Sequence, residues 1–309
     1  MFPSLVKNGF GDVPVVGISL SNKLLNNQPG FKVAKKKFTL LGMKGILFGD
    51  AISQMYHSTA PREVNKGESF GIAQKYNQAV IEGLEKNDFK YLLNKLSEAV
   101  SEFNNVEIID REVPKIGVVG EIYVKYNPMG NQNIVNDLIE QRIEVAMPPL
   151  INMFVQWLVN VNYKKKLNIE NKPAARKLAY VLEKYYDRVC RKFDVVMHNY
   201  RFNTPRHTIR QIASQAEKVL NMSEHYFGEG WLIPGDILCF AEEGIYNVLC
   251  LQPFGCIANH IVARGVEKSL KNLYPKLNLQ FLDIDAGNSE VNLHNRLHLL
   301  TRKAVADSK

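Results

Sequence analysis

Apolar positions along this chain recur with two periods, and the alternation between them predicts an α/β fold. Short, nearly continuous apolar runs at residues 13–20, 116–122, 143–147, 248–251 and 279–284 read as strands buried on both faces, the pattern of a parallel sheet. Helical spacing separates them. Leu92, Leu93, Leu96, Val100 and Phe103 form one stripe, and Leu178, Val181, Leu182, Tyr185, Val189 and Phe193 form another behind Pro173, which suits a helix start. Further helices are predicted over 38–55, 131–141, 205–221 and 289–300, and a helix beginning just after Cys256 carries Ile257, Ile261, Val262, Val266 and Leu270. In the apolar run 150–161, Asn152, Gln156 and Asn160 recur every fourth residue. That is one polar stripe on a buried helix too short and too polar to span a bilayer, with Trp157 placed in the core.

The polar stretch 104–114 divides these elements into two groups. A partial N-terminal α/β domain with long helices (1–114) precedes a parallel-sheet, Rossmann-like α/β domain (115–309) with a helical insertion at about 150–225. The four strands of the second domain should run parallel through Val118, Val145, Leu249 and Phe281. The β-branched run at 13–20 reads as a buried strand of the first domain.

In open α/β sheets ligands gather at the carboxyl ends of the strands, which places the candidate chemistry. Cys256 follows Gly255 at a strand-to-helix turn, where a helix start favours thiolate; the competing reading is a small buried hydrophobe. Glu121 and Tyr123 end one strand, and Glu121 reads equally as a salt-bridged strand end. Glu229 and Gly230, in the Gly-flanked stretch GEGW, read as an anion-binding helix start or a plain cap. Asn259 and His260 lie one helical turn past Cys256, His260 as a proton donor or a satisfied interior histidine before a metal ligand. Asp285, Glu290 and Asn292 follow the last strand, with Ser289 as helix cap. Three strand ends thus converge on one edge.

Composition narrows the function classes. A chain of 309 residues with 46% hydrophobic content can bury a large core. The net charge of +8 invites a nucleic-acid reading, but the clusters Lys35–Lys37 and Lys164–Lys166 lack interleaved aromatics, and no helix-turn-helix or zinc-finger pattern accompanies them. They read as solvated segments that could steer phosphates or an acidic partner. Four cysteines without a CxxC pair or a secretory signal point to a reducing, cytoplasmic setting, with Cys190, Cys239 and Cys250 structural. The Gly117 and Gly120 spacing is not a dinucleotide fingerprint, and no Walker A motif is present.

PFGCIANHIVARGV, around Cys256, resembles a segment of the acyl-CoA dehydratase activase-related proteins, of the wider 2-hydroxyacyl-CoA dehydratase and benzoyl-CoA reductase group. PGFKV (29–33), REVNKGE (62–68), IGVVGEIYVKYNPMGN (116–131), GEGWL (228–232) and DIDAGNSEVNLHNRL (283–297) match in the same order, so the resemblance covers nearly the whole chain. It implies the carboxy-terminal portion of an iron-sulfur electron-transfer or reductase component of anaerobic metabolism, driven by a separate ATP-hydrolysing activator and acting on acyl-CoA or a similar substrate. Cys256 would ligate a 4Fe-4S-type cluster shared with an upstream segment or a partner chain. The family's Gly-rich, Cys-containing segment upstream of the strand at 13–20 has no counterpart in the chain, so the resemblance implies an incomplete first domain that favours self-association or a partner subunit. The alternative is a non-catalytic CoA- or nucleotide-binding or assembly module.

Overall fold

A computed structural model describes residues 9, 27–28, 31–32, 35–220, 228–285, 287 and 290–308. The expected strand at 13–20 lies outside them. The chain divides into two compact units, Met1–Met43 and Lys44–Lys309, and the polar stretch 104–114 runs within the second. In the first unit, β1 (Asn27–Gln28) pairs antiparallel with β2 (Phe31–Lys32). The second opens within α1 (Lys35–Thr59) and continues through α2 (Glu68–Glu85) and α3 (Phe89–Asn105). Asp88 stops the preceding turn and starts α3 by accepting the Tyr91 amide at 2.9 Å.

The α/β reading holds. After β3 (Lys115–Gly120) come α4 (Ile122–Tyr126), α5 (Ile134–Glu140) and β4 (Glu144–Ala146). The helical insertion follows as α6 (Ile151–Val155), α7 (Trp157–Lys166), α8 (Pro173–Met197), α9 (Ile209–Ala216) and α10 (Leu232–Glu242). Then β5 (Asn247–Pro253), α11 (Glu267–Leu273), β6 (Asn278–Ile284) and α12 (Glu290–Asp307) complete the unit. All four strands are parallel, in the order β4-β3-β5-β6, with Val118 opposite Leu249 and Cys250 opposite Phe281. Both faces are covered, as the unbroken apolar runs require. Ile116, Val118, Leu249 and Leu251 pack with Leu138 of α5 and Leu297 of α12. Val119, Val248, Cys250 and Phe281 pack on the other face with Ile237 and Leu238 of α10 and Leu270 of α11.

Several boundaries differ from the sequence expectation. The strand expected to reach residue 122 ends at Gly120, whose φ of +128° turns the chain out of the sheet. The helix expected over 131–141 begins at Ile134 because Gln132 and Asn133 adopt left-handed backbone. The apolar run 150–161 is two helices meeting at Gln156, and Trp157 is 40% exposed rather than in the core. Its amide stripe points inward, with Asn152 and Gln156 buried, so Phe154 and Trp157 turn to solvent.

The loop after α1 is tied to the sheet by charge. Arg62 places Nη2 2.6 Å from Glu144 Oε2 on β4 and lies over the Phe202 ring at 4.5 Å; Lys115 Nζ reaches the other Glu144 oxygen at 2.9 Å. Arg62 and Glu144 are both buried; removing Arg62 still leaves Glu144 its Lys115 partner, but removing Glu144 leaves Arg62 with no carboxylate partner among the described residues. Glu144→Met should therefore lower unfolding free energy by about 3–5 kcal/mol in denaturant titration. Lys75→Met, at the exposed pair with Glu102, should change it by less than about 1 kcal/mol.

Candidate functional site

Strand order reverses between β3 and β5: the chain leaves β3 outward to β4, then returns past it to β5 and β6. The crossovers diverge there and leave a crevice at the carboxyl ends, the usual place for a ligand in such sheets. Two constellations lie along this edge.

The first surrounds β5 and β6. Gly255, with φ of +78°, turns the chain after β5 and donates its amide to His260 Nε2 at 3.2 Å. Gln252 donates to Asp283 Oδ1 at 2.5 Å and lies 3.4 Å from His260 Nδ1, while Arg264 approaches Asp283 at 3.7 Å. His260 is thus held in a polar network, the satisfied-histidine arrangement. The helix expected after Cys256 is a π-type turn, Ala258–Ala263, in which the His260 amide bonds to the Cys256 carbonyl at 2.9 Å. Asn259 is fully buried in this turn, and neither end of its amide has a partner. Cys190, Cys239 and Cys250 are buried, and burial pushes all three thiols above the ordinary range. Cys256 is part-exposed, between the exposed side chains of Phe254, Ile257 and Ile261.

The second surrounds the end of β3. Glu121 caps α4 by accepting the Val124 amide at 2.9 Å, which answers its two readings with a third: it is a helix cap. Glu229, in the 3-10 segment Gly228–Trp231, accepts the Ile122 amide at 3.2 Å. Burial, then the neighbouring Glu121, raise the Glu229 pKa. Gly230 permits the close approach of this segment to the π-type turn, since a Cβ would sit 3.1 Å from Val262 Cγ2. Tyr123 faces solvent, as do Asp285 and Asn292; Glu290 opens α12. The structure thus brings together Glu121 with Glu229, and Gly255 with His260, but leaves Tyr123, Asp285 and Asn292 outward.

Sequence reasoning missed a group of strongly perturbed acids and bases. Beside the end of β3 is a cavity of about 660 Å³, lined by residues of α1, α4, the β4–α6 connection and α10. Lys125 of α4 and Asp236 of α10 line it from buried positions; the Lys125 ammonium lies over the Tyr126 ring at 4.7 Å, and among the described residues no carboxylate is within ion-pair distance of it. Burial lowers the Lys125 pKa, with Asp236 the main opposing influence. Burial pushes Asp236 up to about 7, against the pull of Lys125 and His207. Asp50 of α1 accepts the Leu150 and Ile151 amides at 2.9 and 3.1 Å, yet burial raises it to about 6. Burial holds His57 down to about 4, so it is neutral at physiological pH. A lone acid in an apolar helical run was the available signal: Asp236 stands in LIPGDILCFA, and Asp50 in ILFGDAI.

No protein-family model, no curated protein and no solved structure matches this chain. Among the described residues, no helix is long and apolar enough to cross a membrane.

The Asp236 environment sets a pH signature. A carboxyl raised from 3.8 to about 7 binds its proton more tightly folded than unfolded. Its burial therefore costs nothing below pH 3.8, and the cost grows as pH rises to about 7, reaching at most about 4 kcal/mol. Asp236→Asn should melt at the same temperature as the wild type near pH 4 and progressively higher from pH 5 to pH 8. A difference in melting temperature that stays constant with pH would show that the carboxyl is not raised.

Proposed function

We propose that this chain is an iron-sulfur electron-transfer or reductase component, incomplete on its own, in which Cys256 supplies one thiolate to a cluster completed by another segment or a partner chain. One observation carries the reading: of the four cysteines, three are buried in packed core and Cys256 alone is accessible, at the carboxyl edge of the sheet, within a rim of exposed apolar side chains. Phe254 is 76% exposed, and Ile257 and Ile261 are comparably open. Contiguous exposed apolar residues mark a surface that another surface covers. Once covered, the sulfur would sit in a dry, low-dielectric setting, which together with hydrogen bonding sets the potential of an iron-sulfur centre.

The residues present fit one ligand position. Among the described residues, no three His, Cys, Asp or Glu side chains are grouped to hold a metal ion, so this reading draws the other ligands from elsewhere. The bound cluster would supply single low-potential electrons. The chain's own part is to present the thiol: Gly255 allows the turn that lifts Cys256 out of the sheet, and His260 anchors that turn through the Gly255 amide. ATP hydrolysis would belong to a separate activator, and acyl-CoA or a similarly hard-to-reduce compound would be the substrate.

The test is protein purified anaerobically from its native host, compared with Cys256→Ser and Cys250→Ser. Loss of iron and labile sulfide in Cys256→Ser, at unchanged melting temperature, is the expected result. Cys250→Ser should keep its iron and lose stability, since that thiol is fully enclosed among Val119, Val248 and Phe281. Full iron content in Cys256→Ser would overturn the reading.

A further inference from the structure

The cavity beside β3 holds an arrangement that the cysteine does not explain. Its inner end is shared with a small recess of about 20 Å³ under the end of β3, and Lys125, Tyr126, Asn152 and Asp236 line both spaces. Lys125 is 8% exposed; its ammonium lies over the Tyr126 ring at 4.7 Å, and no carboxylate among the described residues is within ion-pair distance of it. A lysine that buried is ordinarily paired. Asn152 is 2% exposed, and both its carbonyl oxygen and its amide nitrogen lack partners. An unpartnered buried polar group costs on the order of 1–3 kcal/mol, so the partnerless Asn152 amide and a buried ammonium with no counter-anion among the described residues, lining one space, mark a place prepared for a ligand. Tyr126 does not fill that role, because its hydroxyl donates to the Pro148 carbonyl.

We propose that this cavity binds an organic monocarboxylate with an apolar body, its carboxylate seated between Lys125, Asn152 and Asp236. The unpaired ammonium calls for an anion, and the amide nitrogen of Asn152 supplies a second donor. Asp236 decides which anion. Burial keeps it partly protonated near neutrality, so its carboxyl can donate to an incoming carboxylate, as two carboxyl groups share one proton at close range. Asp50 and Glu229 also lie within electrostatic reach of Lys125, and their negative charge disfavours a dianion such as phosphate while tolerating a single charge. Away from this polar end, Leu47, Met147, Phe193 and Phe202 line the cavity. Its volume of about 660 Å³ lies in the range of small-molecule sites, which take an apolar body and orient it by a few polar groups. The inference does not depend on the iron reading, since none of these residues lies near Cys256 in the chain or carries its loop.

The experiment titrates octanoate into the full chain by isothermal calorimetry, with octylammonium and inorganic phosphate as probes of headgroup sign and charge. Saturable octanoate binding is expected, with neither other probe competing. Lys125→Met and Asn152→Leu should each weaken octanoate at least tenfold, while Lys165→Met, at a lysine on the exposed end of α7, should leave it unchanged. Melting curves establish that each variant is folded, and Asn152→Leu decides the matter if Lys125→Met does not fold. Octanoate binding that survives both substitutions, octylammonium binding as tightly as octanoate, or no saturable octanoate binding at millimolar concentration would each overturn the proposal.

Discussion

The contact between Gly120 and Leu251 is the constraint on which the carboxyl edge of this sheet depends. A Cβ at position 120 would fall 1.9 Å from the Leu251 carbonyl oxygen, and the φ of +128° is one that side-chain-bearing residues rarely adopt. The same oxygen accepts the Glu121 amide at 3.0 Å. β3 can therefore run hard against β5 to its last residue and then leave the sheet abruptly. Everything at the switch point follows from that turn. Glu121 is delivered as the cap of α4, the Ile122 amide is left for Glu229, and the single turn of helix that follows carries Lys125 inward over the cavity.

Stability and function are segregated along the strands. At their amino ends and centres both faces of β3 and β5 are sealed by apolar packing, with Ile116, Val118, Leu249 and Cys250 fully excluded from water. At the carboxyl edge the polar groups are buried without full compensation: among the described residues the Asn152 and Asn259 amides and the Gln252 side-chain oxygen have no partners, and Asp236 and Lys125 are desolvated without an ion pair. The central sheet supplies the free energy that lets the edge persist in this unfavourable state.

The strands, their parallel pairing and the helical insertion were legible because periodicity reports burial, and burial on both faces leaves Val248, Leu249, Cys250 and Leu251 as an unbroken apolar run. Boundaries were less so, since they rest on backbone choices such as the left-handed Gln132 and Asn133, which hydrophobicity does not encode. Glu121 and Cys256 could be read as following strands because strand ends are predictable once strands are. Lys125, Asp50 and Asp236 were not found. They meet across α4, α1 and α10, whose relative packing no local pattern specifies. The amide stripe of Asn152 and Gln156 was seen but its meaning inverted: four-residue spacing says that the amides share a face, and only tertiary packing says that this face looks inward, sending Trp157 out.

The strand order also has a consequence for synthesis. β3 pairs on one side with β4, close by in sequence, but on the other with β5, so that Val118 waits for Leu249 across the whole helical insertion. While the ribosome makes α6 to α10, one edge of a fully apolar strand has no neighbour. Pairing between such distant segments bears a large loop-closure entropy and is slow to form. The nascent chain thus spends the translation of the helical insertion with this edge unpaired, although packing of Ile237 and Leu238 on Val119 can cover one face of the strand before β5 arrives.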